Sequence, residues 1–162
     1  MTTPRGDFRP PGLNADEPTT LRVFLDYLRE SVIAKTGGLT DEQAREPGVE
    51  SGTSLAWLLS HLTAVEHNWF VWSYTDTGEL MDDDAVPDGT VAELVAGYRE
   101  AVGRANAVIE ACDDLDTPGA RSLRETEAPS MRWILVHMVE ETARHAGHAD
   151  ILRERIDGAV GR

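Results

Sequence analysis

The chain has a single cysteine, Cys112, among 162 residues. That excludes an intrachain disulfide and a thiolate cluster for a metal. A small residue near a helix end is its expected role, and a reducing cytoplasm the expected location. Lysine is equally scarce, with Lys35 standing alone, and the net charge is −14. Nucleic acids and anionic membrane surfaces both select basic patches. No Lys/Arg cluster exists here, so neither is an expected partner. No apolar run approaches the ~20 residues of a membrane span. The N-terminal stretch "MTTPRGDFRPPGLNADEP" is polar and Pro-rich and lacks the apolar core of a signal peptide. Export is therefore not expected. Internal repeats are also lacking.

What the chain does have is 41% apolar residues, enough for a hydrophobic core at this length, and four long segments with helical periodicity. The first spans about Thr19 to Lys35, with Leu21, Phe24, Leu25 and Leu28 on one stripe and "TGG" as its stop. A short turn is expected at "TDEQ", where Thr40 and Gln43 have capping-box spacing. The second long segment runs from about Ser54 to Tyr74. The third opens on a capping box, Thr90 and Glu93, and ends near Cys112. The fourth follows Ser130 as N-cap and runs to about Ile156, with Asp157-Gly158 as its stop. The link "TGELMDDDAVPDG" is acidic and reads as a solvated loop. Residues 1–17 are expected as an arm and residues 18–162 as one all-α domain, a four-helix bundle.

The fourth segment carries three of the five histidines. At about 100° per residue, positions four apart are offset by about 40° and positions seven apart by about 20°. His137, Glu141, His145 and His148 therefore share a narrow arc with Ile134, Met138 and Leu152. Arg132 and Asp150 fall opposite. An acid and imidazoles on a core stripe need compensation, because burying an unpaired polar group costs about 1–3 kcal/mol and a charge more. A divalent cation supplies it, and residues at i and i+4 can grip one ion together.

A third ligand must come from another helix. In "SLAWLLSHLTAVEHNWFVW" the apolar stripe is Leu55, Leu58, Leu62, Val65, Trp69 and Trp72. His61 lies on its shoulder, beside Ser54, Val65, Asn68 and Trp72, and can face the interior. His67 points away and is expected in solvent. The expected ligands are His61, Glu141 and His145, which leave coordination positions open, as in a catalytic centre. Plainer readings stand beside this one. His61 alone is more often a hydrogen-bonded core residue. Glu141 and His145 alone make an ordinary i,i+4 pair worth about 0.2–0.5 kcal/mol. His148 and His137 are each open as ligand, outer support or pocket wall. Glu66, at the edge of its stripe, reads as a candidate base or as a paired acid. Trp57, Trp69, Trp72 and Trp133 are expected mostly in the core.

"LLSHLTAVEHNWF" together with "MRWILVHMVEETARHAGHADILRE" resembles the DinB-like (YfiT-like) superfamily of metal-binding bundles. More narrowly it resembles the branch with mycothiol-dependent maleylpyruvate isomerase and the thiol S-transferases. The resemblance runs from "LRVFLDYLRE" through "IDG". It implies an up-down-down-up bundle with a long link between the second and third helices. It also implies a divalent metal, zinc with nickel, iron or manganese as rivals, on His61, Glu141 and His145. Glutamate at position 141, where the wider superfamily has histidine, matches the isomerase branch. His148 departs from the glutamine common at its place, which leaves its role open.

The implied activity is a thiol S-transferase or isomerase. A mycothiol-like cosubstrate would be activated at the metal and would attack an electrophilic small molecule, with His148, His137 or Glu66 as acid/base or outer support. The alternatives are a non-catalytic metal- or ligand-binding protein and a metal-dependent hydrolase. Homodimers are common in the superfamily and are carried as an expectation.

Overall fold

A computed structural model of the chain describes residues 9–161. Residues 1–8, most of the expected arm's first half, and residue 162 lie outside the described residues. The fold is all-helical, with no strand among the described residues and one isolated bridge, Pro118 to Ser130.

Helix α1 spans Glu17–Ala34 and α2 spans Asp41–Arg45. Helix α3 spans Leu55–Glu66 and runs on as a π-helical segment, His67–Tyr74. Helix α4 spans Val91–Glu110 and α5 spans Met131–Asp157. The helix starts are set by side chains. Asp16, Ser54 and Ser130 each accept a hydrogen bond from a backbone N–H three residues on. Thr40–Gln43 and Thr90–Glu93 form the two complete capping boxes expected from their spacing. Gly158 ends α5 with φ 75°, the left-handed conformation that favours glycine.

The core forms where these helices meet. Leu25, Phe70, Ile109, Ile134 and Met138 fill one end, and Leu55, Leu58, Ala149 and Leu152 fill the other. Val32, Leu59, Leu62 and Tyr98 pack between α1, α3 and α4. Ion pairs lace the helix edges. Arg22 meets Glu110 and Glu30 meets Arg99 across α1 and α4, and Arg29 adds a hydrogen bond to the Asn106 side chain. Glu17 meets Arg132 and Lys35 meets Asp150 across α1 and α5.

The π-helical segment changes the register that an α-period gives to α3. A wider turn rotates every later side chain. Trp72, placed on the stripe by the 3.6 period, is half-buried, with the Arg121 guanidinium 4.0 Å from its ring centre. Phe70 and Ser73 are fully buried instead. Of the four tryptophans only Trp69 is buried, and Trp133 is 42% exposed. His67 is half-buried rather than free in solvent, and its Nε2–H donates to the Glu79 carbonyl at 2.8 Å.

Candidate metal centre

α3 and α5 bring three side chains to one point. His61 Nε2 and His145 Nε2 each lie 3.0 Å from the same carboxylate oxygen, Glu141 Oε1. One ligand atom from each of the three residues falls within 4.8 Å of the others. His61 and Glu141 are half-buried, and His145 is 8% exposed. The i,i+4 spacing of Glu141 and His145 aligns them on one face of α5, and His61 arrives from the facing helix.

Hydrogen bonds fix the rings. His61 Nδ1–H donates to the Asp83 carbonyl at 2.8 Å, so in the neutral ring Nε2 carries the lone pair. A bare lone pair 3.0 Å from a carboxylate oxygen is repulsive. Only a second proton on His61 or a cation between the two relieves it. Burial is the largest single influence and lowers the basicity of His61, but the hydrogen bonds to Glu141 and to the Asp83 carbonyl, with the nearby negative charge, together outweigh it and raise the pKa. The hydrogen bonds from His145 and His61 hold the Glu141 carboxyl far below the usual carboxylate range. Two imidazole nitrogens and one carboxylate oxygen, with a backbone carbonyl behind one ring, is a donor set that fits a divalent metal.

The surroundings add features that the periodicity missed. Trp57, one turn before His61, stacks on its ring with 4.8 Å between centres and 14° between planes. The i,i+4 spacing of Trp57 and His61 was the available signal. The acidic link is solvent-exposed, as its composition predicts, but it is tethered where it passes the site. Asn68, nearly buried, clamps it by donating to the Met81 carbonyl and accepting from the Met81 N–H, both at 2.9 Å. That places the Asp83 carbonyl against His61.

The other candidates separate. His148 is exposed, and its Nδ1 faces His145 Nδ1 at 3.3 Å, behind the ligand ring. His137 is half-buried between Trp133, stacked at 5.1 Å, and the edge of Trp69 at 4.9 Å. Burial lowers its pKa, and it lines a cavity of about 310 Å³ together with His61, Asn68 and Glu141. Glu66 is not in this cluster. It is fully buried, with both oxygens on Arg29 at 2.7 and 2.6 Å, so the paired reading applies and the carboxylate has no path to a ligand.

Among families, one described as mycothiol-S-transferase matches residues 20–158. No curated protein matches the chain.

Proposed function

The chain belongs to the mycothiol-S-transferase family, and from that premise we propose that it joins mycothiol, or a closely similar thiol, through its sulfur to an electrophilic small molecule. The observation that carries this reading is the convergence of His61, Glu141 and His145 ligand atoms within 4.8 Å at the wall of a cavity.

In this proposal the three side chains hold a divalent cation. Zinc suits two imidazoles and a carboxylate, and nickel, iron and manganese accept the same set. The cation supplies Lewis acidity that favours the thiolate over the thiol. The chain's own residues do the rest. The Asp83 carbonyl keeps His61 in the tautomer with Nε2 free to ligate, and Trp57 holds the ring's plane. His148 supports His145 from behind. His137 faces the cavity with its basicity lowered by burial, so near pH 7 it is neutral and able to take the proton that the thiol gives up. The sulfur then forms a bond to the electrophilic carbon. The displaced electron pair leaves with the leaving group, or moves to the neighbouring carbon, which takes a proton from solvent. Addition followed by elimination of the same sulfur would serve an isomerisation.

The pairing of helix edges supports an up-down-down-up four-helix bundle as the frame, with residues 18–162 as one domain. Arg22–Glu110 matches the first half of α1 to the end of α4 and Glu30–Arg99 matches the end of α1 to the first half of α4, so the two run antiparallel. Glu17–Arg132 and Lys35–Asp150 match α1 to α5 start to start and end to end. His61–Glu141 joins α3 to α5 midway.

The test is metal content and thiol-dependent turnover on the same preparation. Elemental analysis of untagged protein should find about one divalent ion per chain, as a single site implies. The loaded protein should conjugate an electrophilic reporter faster with mycothiol than with glutathione or bacillithiol. Turnover without any thiol would replace the reading with metal-assisted hydrolysis. Metal binding without turnover would replace it with a binding protein.

A further inference from the structure

The cavity at the metal centre does not end there. It shares Trp69 and Arg124 with a second cavity of about 420 Å³, lined also by Trp133, Thr126 and Glu127. The two form one cleft running from Glu141 and His61, past His137, to the Trp69–Trp133 pair, whose rings lie 5.2 Å apart. Arg124 stands over this aromatic floor, its guanidinium 5.8 Å from the Trp133 ring centre and 6.0 Å from that of Trp69.

We propose that this cleft is the electrophile's binding site, and that it selects a flat unsaturated or aromatic monocarboxylate, with its carboxylate on Arg124 and its π-system on Trp69 and Trp133. The inference rests on the transferase reading for the word electrophile, and on the cleft alone for the ligand's chemistry.

Three observations carry it. First, the Arg124 guanidinium has no acidic partner among the described residues. By contrast Arg22, Arg29, Arg99, Arg104, Arg121, Arg132, Arg144 and Arg153 each pair with a carboxylate. Arg9, Arg45 and Arg155 also have no carboxylate partner among the described residues, but of these arginines Arg124 is the one that lines the two cavities. Its planar fork matches a carboxylate, and its faces stack on aromatic rings.

Second, the loop that carries Arg124 is anchored at its base, while the side chain itself is exposed and open to a ligand. The preceding residue, Leu123, packs against the core. Before it, the Ala120 and Arg121 N–H groups donate to the Ser73 carbonyl, and Gly119 N–H donates to Pro129 at 2.8 Å, closing the base of the loop.

Third, the charges along the cleft orient a ligand. Among the described residues Arg124 is the only cationic side chain lining the two cavities besides histidine, whereas Asp83 and Glu141 lie at the metal end and Glu127 at the other. The first N–H groups of α5 offer no alternative, because those of Met131, Arg132 and Trp133 donate to Thr117, Leu115 and Ser130. One guanidinium among three acids suits one negative charge and disfavours a phosphate dianion. A carboxylate at Arg124 leaves the ligand's unsaturated carbon to extend toward the metal end.

The test pairs N-(carboxymethyl)maleimide with its neutral amide, N-(carbamoylmethyl)maleimide, as electrophiles for the metal-loaded full chain and mycothiol. The acid-to-amide ratio of kcat/KM should fall about tenfold in Arg124→Gln, the size expected for a partly exposed charge-assisted pair. It should fall less in Arg124→Lys and stay unchanged in Arg104→Gln, which removes the same charge from α4. An unchanged ratio in Arg124→Gln, with the amide still turned over, would overturn the proposal. If the chain accelerates neither maleimide beyond its uncatalysed addition of mycothiol, the transferase reading fails, and binding decides the cleft separately. Cinnamate should then shift the Trp69 and Trp133 indole N–H resonances at lower concentration than cinnamamide, and Arg124→Gln should erase that preference. Equal affinities in the wild-type chain would overturn the carboxylate site.

Discussion

Trp57 lies flat on His61, with 4.8 Å between ring centres and 14° between planes, and it is half-buried rather than in the core. A stacked indole fixes the plane of a ligating imidazole, as the Asp83 carbonyl fixes its tautomer. Trp57→Leu is expected to lower zinc affinity about tenfold, the lower end of losses from residues that orient ligands, while leaving one metal per chain at saturation. His61→Ala, Glu141→Gln and His145→Ala should each abolish stoichiometric binding, and His67→Ala, whose ring holds Glu79 instead, should keep it. Competition with a chromogenic chelator reads all five. Zinc should also raise the melting temperature of the wild type, and EDTA should return it, because an ion bound only to the native state stabilises it by mass action.

The arc on α5 and the shoulder position of His61 were legible from an α-helical period, and the structure brings those three residues together. The caps were legible too, because Thr40–Gln43 and Thr90–Glu93 depend on local spacing alone. Beyond Glu66 the period itself changes, so Trp72 leaves its expected place in the core while Phe70 is fully buried. Nothing in "HNWFVWSY" announces a π-helical turn, whose register is set by the loops packed on it. The clamp on the acidic link was hidden for the same reason. It joins Asn68 to a backbone thirteen residues away, and a carbonyl carries no mark in the sequence.

That clamp predicts a coupling between loop and site. Asn68→Ala removes two hydrogen bonds at a buried position and frees the segment that carries the Asp83 carbonyl. The expected cost is about 1–3 kcal/mol of stability, with faster amide exchange at Met81. Zinc affinity should fall with it, although Asn68 is not among the ligands. Unchanged exchange at Met81 would show that the loop is held by something else.

Gly119 is a second place where the fold admits little change. A Cβ there would lie 3.0 Å from the Tyr74 Cα and 3.3 Å from the Ser73 carbonyl oxygen, both backbone atoms that cannot step aside alone. Gly119→Ala should therefore cost about 1–3 kcal/mol, as overpacking does. It should also loosen the loop base that precedes Arg124. Denaturant unfolding measures the first effect, and the carboxylate preference in the maleimide assay measures the second.

Glu66 and Arg29 give the sharpest separation of structure from chemistry. Glu66 is 0% exposed and Arg29 1%, and the guanidinium grips both carboxylate oxygens while also reaching Asp26 and Asn106. Burial pushes the Glu66 carboxyl up against the pull of Arg29. Removing one partner strands the other charge, so Glu66→Ala should destabilise the protein by about 3–5 kcal/mol. Replacing both partners with apolar residues of similar volume, Arg29→Met with Glu66→Leu, should recover most of that loss, because the desolvation cost disappears with the charges. Were Glu66 a base in the reaction, the double variant would be stable and inactive. The geometry predicts a double variant that is stable and active, with full metal content and kcat within a few-fold of wild type. Denaturant titration and turnover on the same preparation decide between the two outcomes.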